Sequence, residues 1–265
     1  MAKPKVFKID LSEQFSHLES SPLVETVIHW SARAETPLEE ESLQQMLRQR
    51  LPQYPKVSIL RWRTIKAVLA ANGSARQSQD EGWEGVRLAS ADDLFVVQFR
   101  KDGLVFSRLA PYHNWEDFSE AALTLWKLYC ELAHPLEVQR LGTRFINRIP
   151  IHDMAQVRRY LSQPPKCLER MGLPSEHFMY HSAHRVPDEP YGIDMTRTVP
   201  PPELMADRTL ALIVDIDAFT RTPFGTAEEE SRHHLARLRW LKNKAFFSVI
   251  TPRAVKEFSR PRSSR

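Results

Sequence analysis

Glycine is scarce in this chain, with 8 in 265 residues where average usage is about 7%. There is no GxGxxG and no GxxxxGK[ST]. The two commonest backbone cradles for phosphate are therefore missing, which argues against a Rossmann or Walker-type nucleotide enzyme. The GxSxG elbow and the HExxH helix are also absent, so the usual sequence handles of a serine hydrolase or a zincin are lacking. Cysteine is scarcer still. Cys130 and Cys167 lie far apart with no CxxC or Cys/His spacing, so neither a disulfide framework nor a structural zinc is expected, and both read as small buried hydrophobes. Long apolar runs are missing too: no stretch reaches the roughly 18 residues of a membrane-spanning helix, and MAKPKVFKIDLSEQF has no signal-peptide core. The expectation is a cytoplasmic protein that does not engage a membrane.

The remaining composition is that of a globular protein, with 42% hydrophobic and 9% aromatic residues and 37 Lys+Arg against 33 Asp+Glu. A fibrous or wholly disordered chain is excluded. Hydrophobic period divides the chain into elements. Leu23–Trp30 reads as an apolar strand. Thr36-Pro37 reads as an N-cap and first-turn proline, leading a helix with Leu38, Leu43, Met46, Leu47 and Leu51 as its stripe. Strands are expected at 59–69, 86–88, 94–99 and 104–109, with 72–80 as an exposed loop and Lys101-Asp102-Gly103 as a hairpin turn. A long amphipathic helix follows, from Trp115 to Leu132.

The pattern then starts again. Strand 138–149, a short helix at 154–161, strands at 178–184, 191–196 and 210–217, and a long helix from Glu228 to Phe246 repeat the order strand, helix, strands, helix. We therefore expect an α+β protein built as a tandem repeat, its antiparallel sheet carrying helices on one face. The expected boundaries are an N-terminal extension at 1–21, a first half at 22–135, a second half at 136–258 and a disordered basic tail at 259–265.

Four segments carry a resemblance: Pro22-Leu23-Val24-Glu25-Thr26-Val27, Arg140-Leu141-Gly142-Thr143-Arg144-Phe145-Ile146-Asn147-Arg148, Val214-Asp215-Ile216-Asp217, and the tail from Asn243 to Thr251. In this order they resemble a sporadically distributed prokaryotic protein family of unknown function, over about Pro22 to Phe258. The resemblance transfers no catalytic residues. The family's patchy distribution implies an accessory gene, such as a component of a mobile-element, defence or toxin–antitoxin locus.

The strand from Arg140 to Arg148 puts Arg140 and Arg144 on one face and Leu141, Thr143 and Phe145 on the other. The strand Leu210 to Asp217 likewise puts Asp215 and Asp217 opposite its apolar side. If the two strands are neighbours, the arginines meet the aspartates. Three readings follow: a cross-strand salt-bridge cluster, an anion-binding site gated by the aspartates, or a Mg²⁺ site on Asp215 and Asp217 for phosphoryl chemistry with the arginines stabilising phosphate charge. With Asn147 added, these residues form the candidate ligand-binding set on the open sheet face. Arg237, Arg239, Lys242 and Lys244 on the last helix form a candidate basic surface. From Leu136 onward 21 basic residues face 15 acidic ones, against 16 and 18 before it. Nucleic acid or an acidic partner could use such an end. His177, His181 and His184 would align on a helix, but on a strand His184 turns to the other face, so they read as surface histidines, as do His233 and His234. No cofactor is implied. The expected activity is binding to a protein partner, with nucleic-acid or phosphorylated-ligand binding and a Mg-dependent phosphoryl-transfer or phosphodiester-cleaving enzyme as alternatives.

Overall fold

The first apolar run is β1, Leu23–Ser31, in which Thr26, Ile28 and Trp30 are buried while Glu25, Val27 and His29 alternate with them. That two-residue period means one covered face and one open face. The protein is described here from a computed structural model, which covers residues 7–69, 75–112, 114–164 and 171–261. Among these, β1 is followed by α1 (Glu40–Arg50), β2 (Lys56–Leu69), β3 (Ala75–Ala89), β4 (Phe95–Arg100), β5 (Gly103–Leu109) and α2 (Trp115–Ala133). The second half holds β6 (Arg140–Pro150), α3 (Val157–Tyr160), β7 (Phe178–Arg185), β8 (Tyr191–Val199), β9 (Ala211–Thr220), α4 (Glu228–Val249) and α5 (Pro252–Phe258).

The strands form one antiparallel sheet in the order β2-β3-β4-β5-β1-β6-β9-β8-β7. From the central β1–β6 pair outward, the first half reads β1-β5-β4-β3-β2 and the second β6-β9-β8-β7. Both halves thus lay the strand that precedes their long helix against the strand that opens them. The register carries one apolar layer across the sheet: Phe99 lies opposite Leu104, Leu104 opposite Trp30, Trp30 opposite Leu141, and Phe145 opposite Ile216. All five described α-helices cover this layer. α1 packs on β3, α2 on β5 and β1, and α4 on β6, β9 and β8, while α3 and α5 share a second apolar cluster with Leu212, Val214 and Ile216. The seam between α2 and α4 is fixed at Trp30, whose ring stacks on Trp126 at 5.2 Å and whose Nε1 donates to Ser231 Oγ at 3.1 Å. A buried indole N–H needs such a partner.

Three of the differences from the sequence reading have a cause visible in the structure or the sequence. Helix α1 starts at Glu40, not beside Thr36, because the amides of Glu35 and Thr36 both donate to the Ala133 carbonyl at the end of α2. That carbonyl is one of the acceptors a helix leaves unpaired at its C-terminus. Residues 75–80, expected in a loop, continue β3, which pairs with β2 out to Leu69–Ala75 although β4 covers only Gly85 to Ala89. Residues 75–80 are Ala-Arg-Gln-Ser-Gln-Asp, a polar run with no apolar alternation, and so they read as a loop; residues 70–74 lie outside the described residues. The tail expected to be disordered begins as ordered chain: Ser259 caps α5, and Ser20 binds the carbonyls of both Phe258 and Arg260. Residues 262–265 lie outside the described residues.

Candidate functional site

On the open face the charges expected to meet do meet. β6 and β9 are neighbours. Arg144 grips Asp215 with Nε 2.9 Å from Oδ1 and Nη2 2.5 Å from Oδ2, and Arg140 donates to Asp217 Oδ2 at 2.6 Å. Arg148, next along the strand, pairs with Asp207 at 2.7 Å. The geometry of Arg140, Arg144, Asp215 and Asp217 is thus that of a cross-strand salt-bridge cluster. Burial raises the Asp217 carboxyl above its ordinary range, Arg140 opposing the shift and neighbouring Asp194 adding to it. Hydrogen bonding to Asp215 holds Arg144 firmly protonated.

Glycine makes room for this cluster. Phe219 on β9 has Gly142 and Gly192 as its neighbours on β6 and β8. A Cβ at Gly192 would stand 2.8 Å from the Phe219 ring, and one at Gly142 would stand 2.6 Å from Arg140 Nη1. The ring spreads over Gly192, and the Arg140 guanidinium lies 4.3 Å from the ring centroid, a cation–π contact on a platform cleared by two missing side chains.

Asn147 does not belong to this set. It falls on the covered face of β6, 5% exposed, with its amide donating to the Val214 carbonyl at 3.0 Å. Strand alternation explains the correction, since Asn147 stands an odd number of residues from both arginines. The candidate basic surface on α4 also divides. Arg239 pairs with Glu116 at 2.6 Å, Lys244 with Glu13 at 2.5 Å, and Arg237 contacts His233. Lys242 turns inward, its Nζ 3.6 Å from the centroid of the Phe145 ring. It stands four residues from both Leu238 and Phe246, so helical spacing places it on the buried stripe.

His181 and His184 contact Thr196 and Ser182 on the strand pair β7–β8. His234 is not a surface histidine: its ring packs 4.3 Å from Phe224 and its Nδ1 lies 2.9 Å from the Tyr191 hydroxyl. Burial lowers the His234 imidazole to about 4 and raises the Tyr191 hydroxyl to about 12, so a neutral imidazole faces a protonated phenol. Cys130 is partly buried, and burial pushes its thiol up to about 12; Cys167 lies outside the described residues. Among the described residues no three His, Cys, Asp or Glu side chains converge in a metal-holding arrangement. No described helix is long and apolar enough to cross a membrane.

Two members of the open face were passed over in the sequence reading. His29 lies beside Gly142 in the β1–β6 register, and burial followed by Arg140's charge lowers its imidazole to about 4. Asp194 on β8 lies directly opposite Asp217. The alternation of β1 around Ile28 and Trp30 signals His29, whereas Asp194 has no signal until β8 and β9 are known to be neighbours.

No family model matches the chain, and no curated protein matches its sequence.

Proposed function

We propose that this is a cytoplasmic binding protein that holds a protein partner against its open sheet face. The observation that carries the reading is the one-sided fold: every described helix covers the same face of the sheet. The other face presents Val27, Ile146, Ile213 and Phe219 around three arginines, Arg140, Arg144 and Arg148, each already paired with an aspartate. Apolar residues set among neutralised charges match the surface of another protein better than a phosphate backbone, whose binding rests on cations free to replace counterions. The same pairing weighs against a metal at Asp215 and Asp217, because each carboxylate already faces a guanidinium. The sequence resemblance extends this to an accessory role, such as a component of a mobile-element, defence or toxin–antitoxin locus.

The test is nuclease-treated affinity capture from the host with wild type, Asp194→Arg and Thr196→Arg on the open face, and Thr124→Arg on the outer side of α2. Thermal unfolding of each variant checks its fold. The proposal expects a stoichiometric protein that both open-face variants lose and Thr124→Arg retains. Equal recovery with all variants, or recovery of nucleic acid alone before nuclease treatment, overturns it.

A further inference from the structure

On the opposite side of the sheet, a cavity of about 290 Å³ opens between the start of α2, the middle of α4 and the segment from Phe15 to Leu18. Its size is at the small end of ligand pockets, which run from about 300 Å³. Trp115, Phe145, Phe246 and Phe15 give it aromatic walls, with Asn114, Asn147 and Asn243 among its polar lining, and Phe15 is held in place by stacking on Phe247 at 5.5 Å.

Two polar groups in this wall have unmet demands. The Lys242 ammonium sits over the Phe145 ring with no carboxylate of the described residues within ion-pair range. The Tyr112 hydroxyl is fully buried and has no hydrogen-bond partner, and its ring meets Phe145 edge-on at 6.2 Å. The lining holds two other charges, Arg239 and Glu116, which neutralise each other at 2.6 Å. The cavity therefore carries one uncompensated cation and one free hydroxyl donor. A buried polar group without a partner is costly. For Lys242 the cost is visible in its titration, since burial, with Arg239 adding to it, pushes the ammonium down to about 7.

We infer that this cavity binds a small monocarboxylate with an aromatic or branched apolar body, its carboxylate accepting from Lys242 and Tyr112. Charge count and wall chemistry select this class. One unpaired cation balances one negative charge, whereas a phosphate dianion would leave half its charge unmatched. The start of α2 adds its positive dipole end beside Asn114 and Trp115, which also line the cavity. The carboxylate would restore Lys242 to its charged state.

Benzoate is the aromatic probe, 4-methylpentanoate the branched one and inorganic phosphate the comparator, each at about 10 mM, where a ligand of millimolar affinity raises the unfolding temperature measurably. Trinitrobenzenesulfonate labelling at pH 7.5, read by peptide mass, reports directly on the Lys242 amine. We expect at least one carboxylate to raise Tm by about 2 °C or more and to slow Lys242 labelling, and phosphate to do neither. Lys242→Met should abolish the Tm shift while itself melting higher than wild type at pH 7, so lost binding cannot be ascribed to lost fold. Tyr112→Phe should weaken binding about fivefold or more. The inference is overturned if neither carboxylate acts, if phosphate acts equally, or if Lys242→Met binds as wild type does.

Discussion

Arg144 lies directly across from Asp217 in the β6–β9 register, yet its guanidinium closes on Asp215, two residues along. Asp217 is left to Arg140. Both pairs are diagonal, which staggers the four charges and keeps each arginine on its own carboxylate. Asp215 is the most enclosed of the four, with its side chain 16% exposed against 52% for Arg144. Asp215→Ala is therefore expected to cost about 1–2 kcal/mol, below the 3–5 kcal/mol of a fully buried pair because Arg144 can turn to water. A double-mutant cycle with Arg144→Ala by urea unfolding should give a coupling of about 1 kcal/mol.

Gly192→Ala is expected to destabilise by about 1–3 kcal/mol, because its Cβ would enter the Phe219 ring at 2.8 Å with the His184 carbonyl at 3.3 Å behind it. Gly142→Ala meets the movable ends of two side chains, Arg140 Nη1 at 2.6 Å and Asp217 Oδ1 at 3.2 Å. It should cost less, about 1 kcal/mol, by unseating Arg140 from Asp217. Chemical denaturation of the two variants side by side checks the order.

Ser231→Ala strands the Trp30 indole N–H in the core between α2 and α4. The expected loss is about 1–3 kcal/mol, the cost of an unsatisfied buried donor. Trp30→Phe in the same background should recover little, since it also gives up the stack on Trp126. Near-UV circular dichroism of the tryptophans and the urea midpoint report the two effects.

Stability should fall in mild acid. His29 and His234 titrate at about 4 in the folded protein, against 6.5 for a free imidazole. Between those values the unfolded chain binds protons that the native state refuses, so stability is full above pH 6.5 and declines until about pH 4. The two rings together account for a loss on the order of a few kcal/mol. His29→Gln should flatten the curve of urea midpoint against pH between 7 and 5; an unchanged slope would show that His29 is not buried in its neutral form.

The strands were legible wherever one face is buried, because alternation over Leu23–Ser31, Arg140–Pro150 and Ala211–Thr220 is a local signal. It was enough to place Arg140, Arg144, Asp215 and Asp217 on one side. The long helices were legible for the same reason at their own period, and Lys242 falls on the buried stripe of α4 for any reader who sets period above charge. Residues 75–80 were not legible, since the run Ala-Arg-Gln-Ser-Gln-Asp carries the composition of a loop. The start of α1 was hidden because a carbonyl from a distant helix claims the amides of Glu35 and Thr36.

Which residues share a face is set by the backbone period, so the sequence by itself determined an α+β protein with one covered and one open sheet face. Which faces become neighbours is set by long-range pairing, and only the tertiary structure decided it. The β1–β6 and β6–β9 pairings give each arginine its aspartate and place Asp194 beside Asp217. The crossing of α2, α4 and the N-terminal segment encloses Lys242 with Tyr112. Contacts between residues more than a hundred positions apart depend on the closed fold, and no local pattern encodes them.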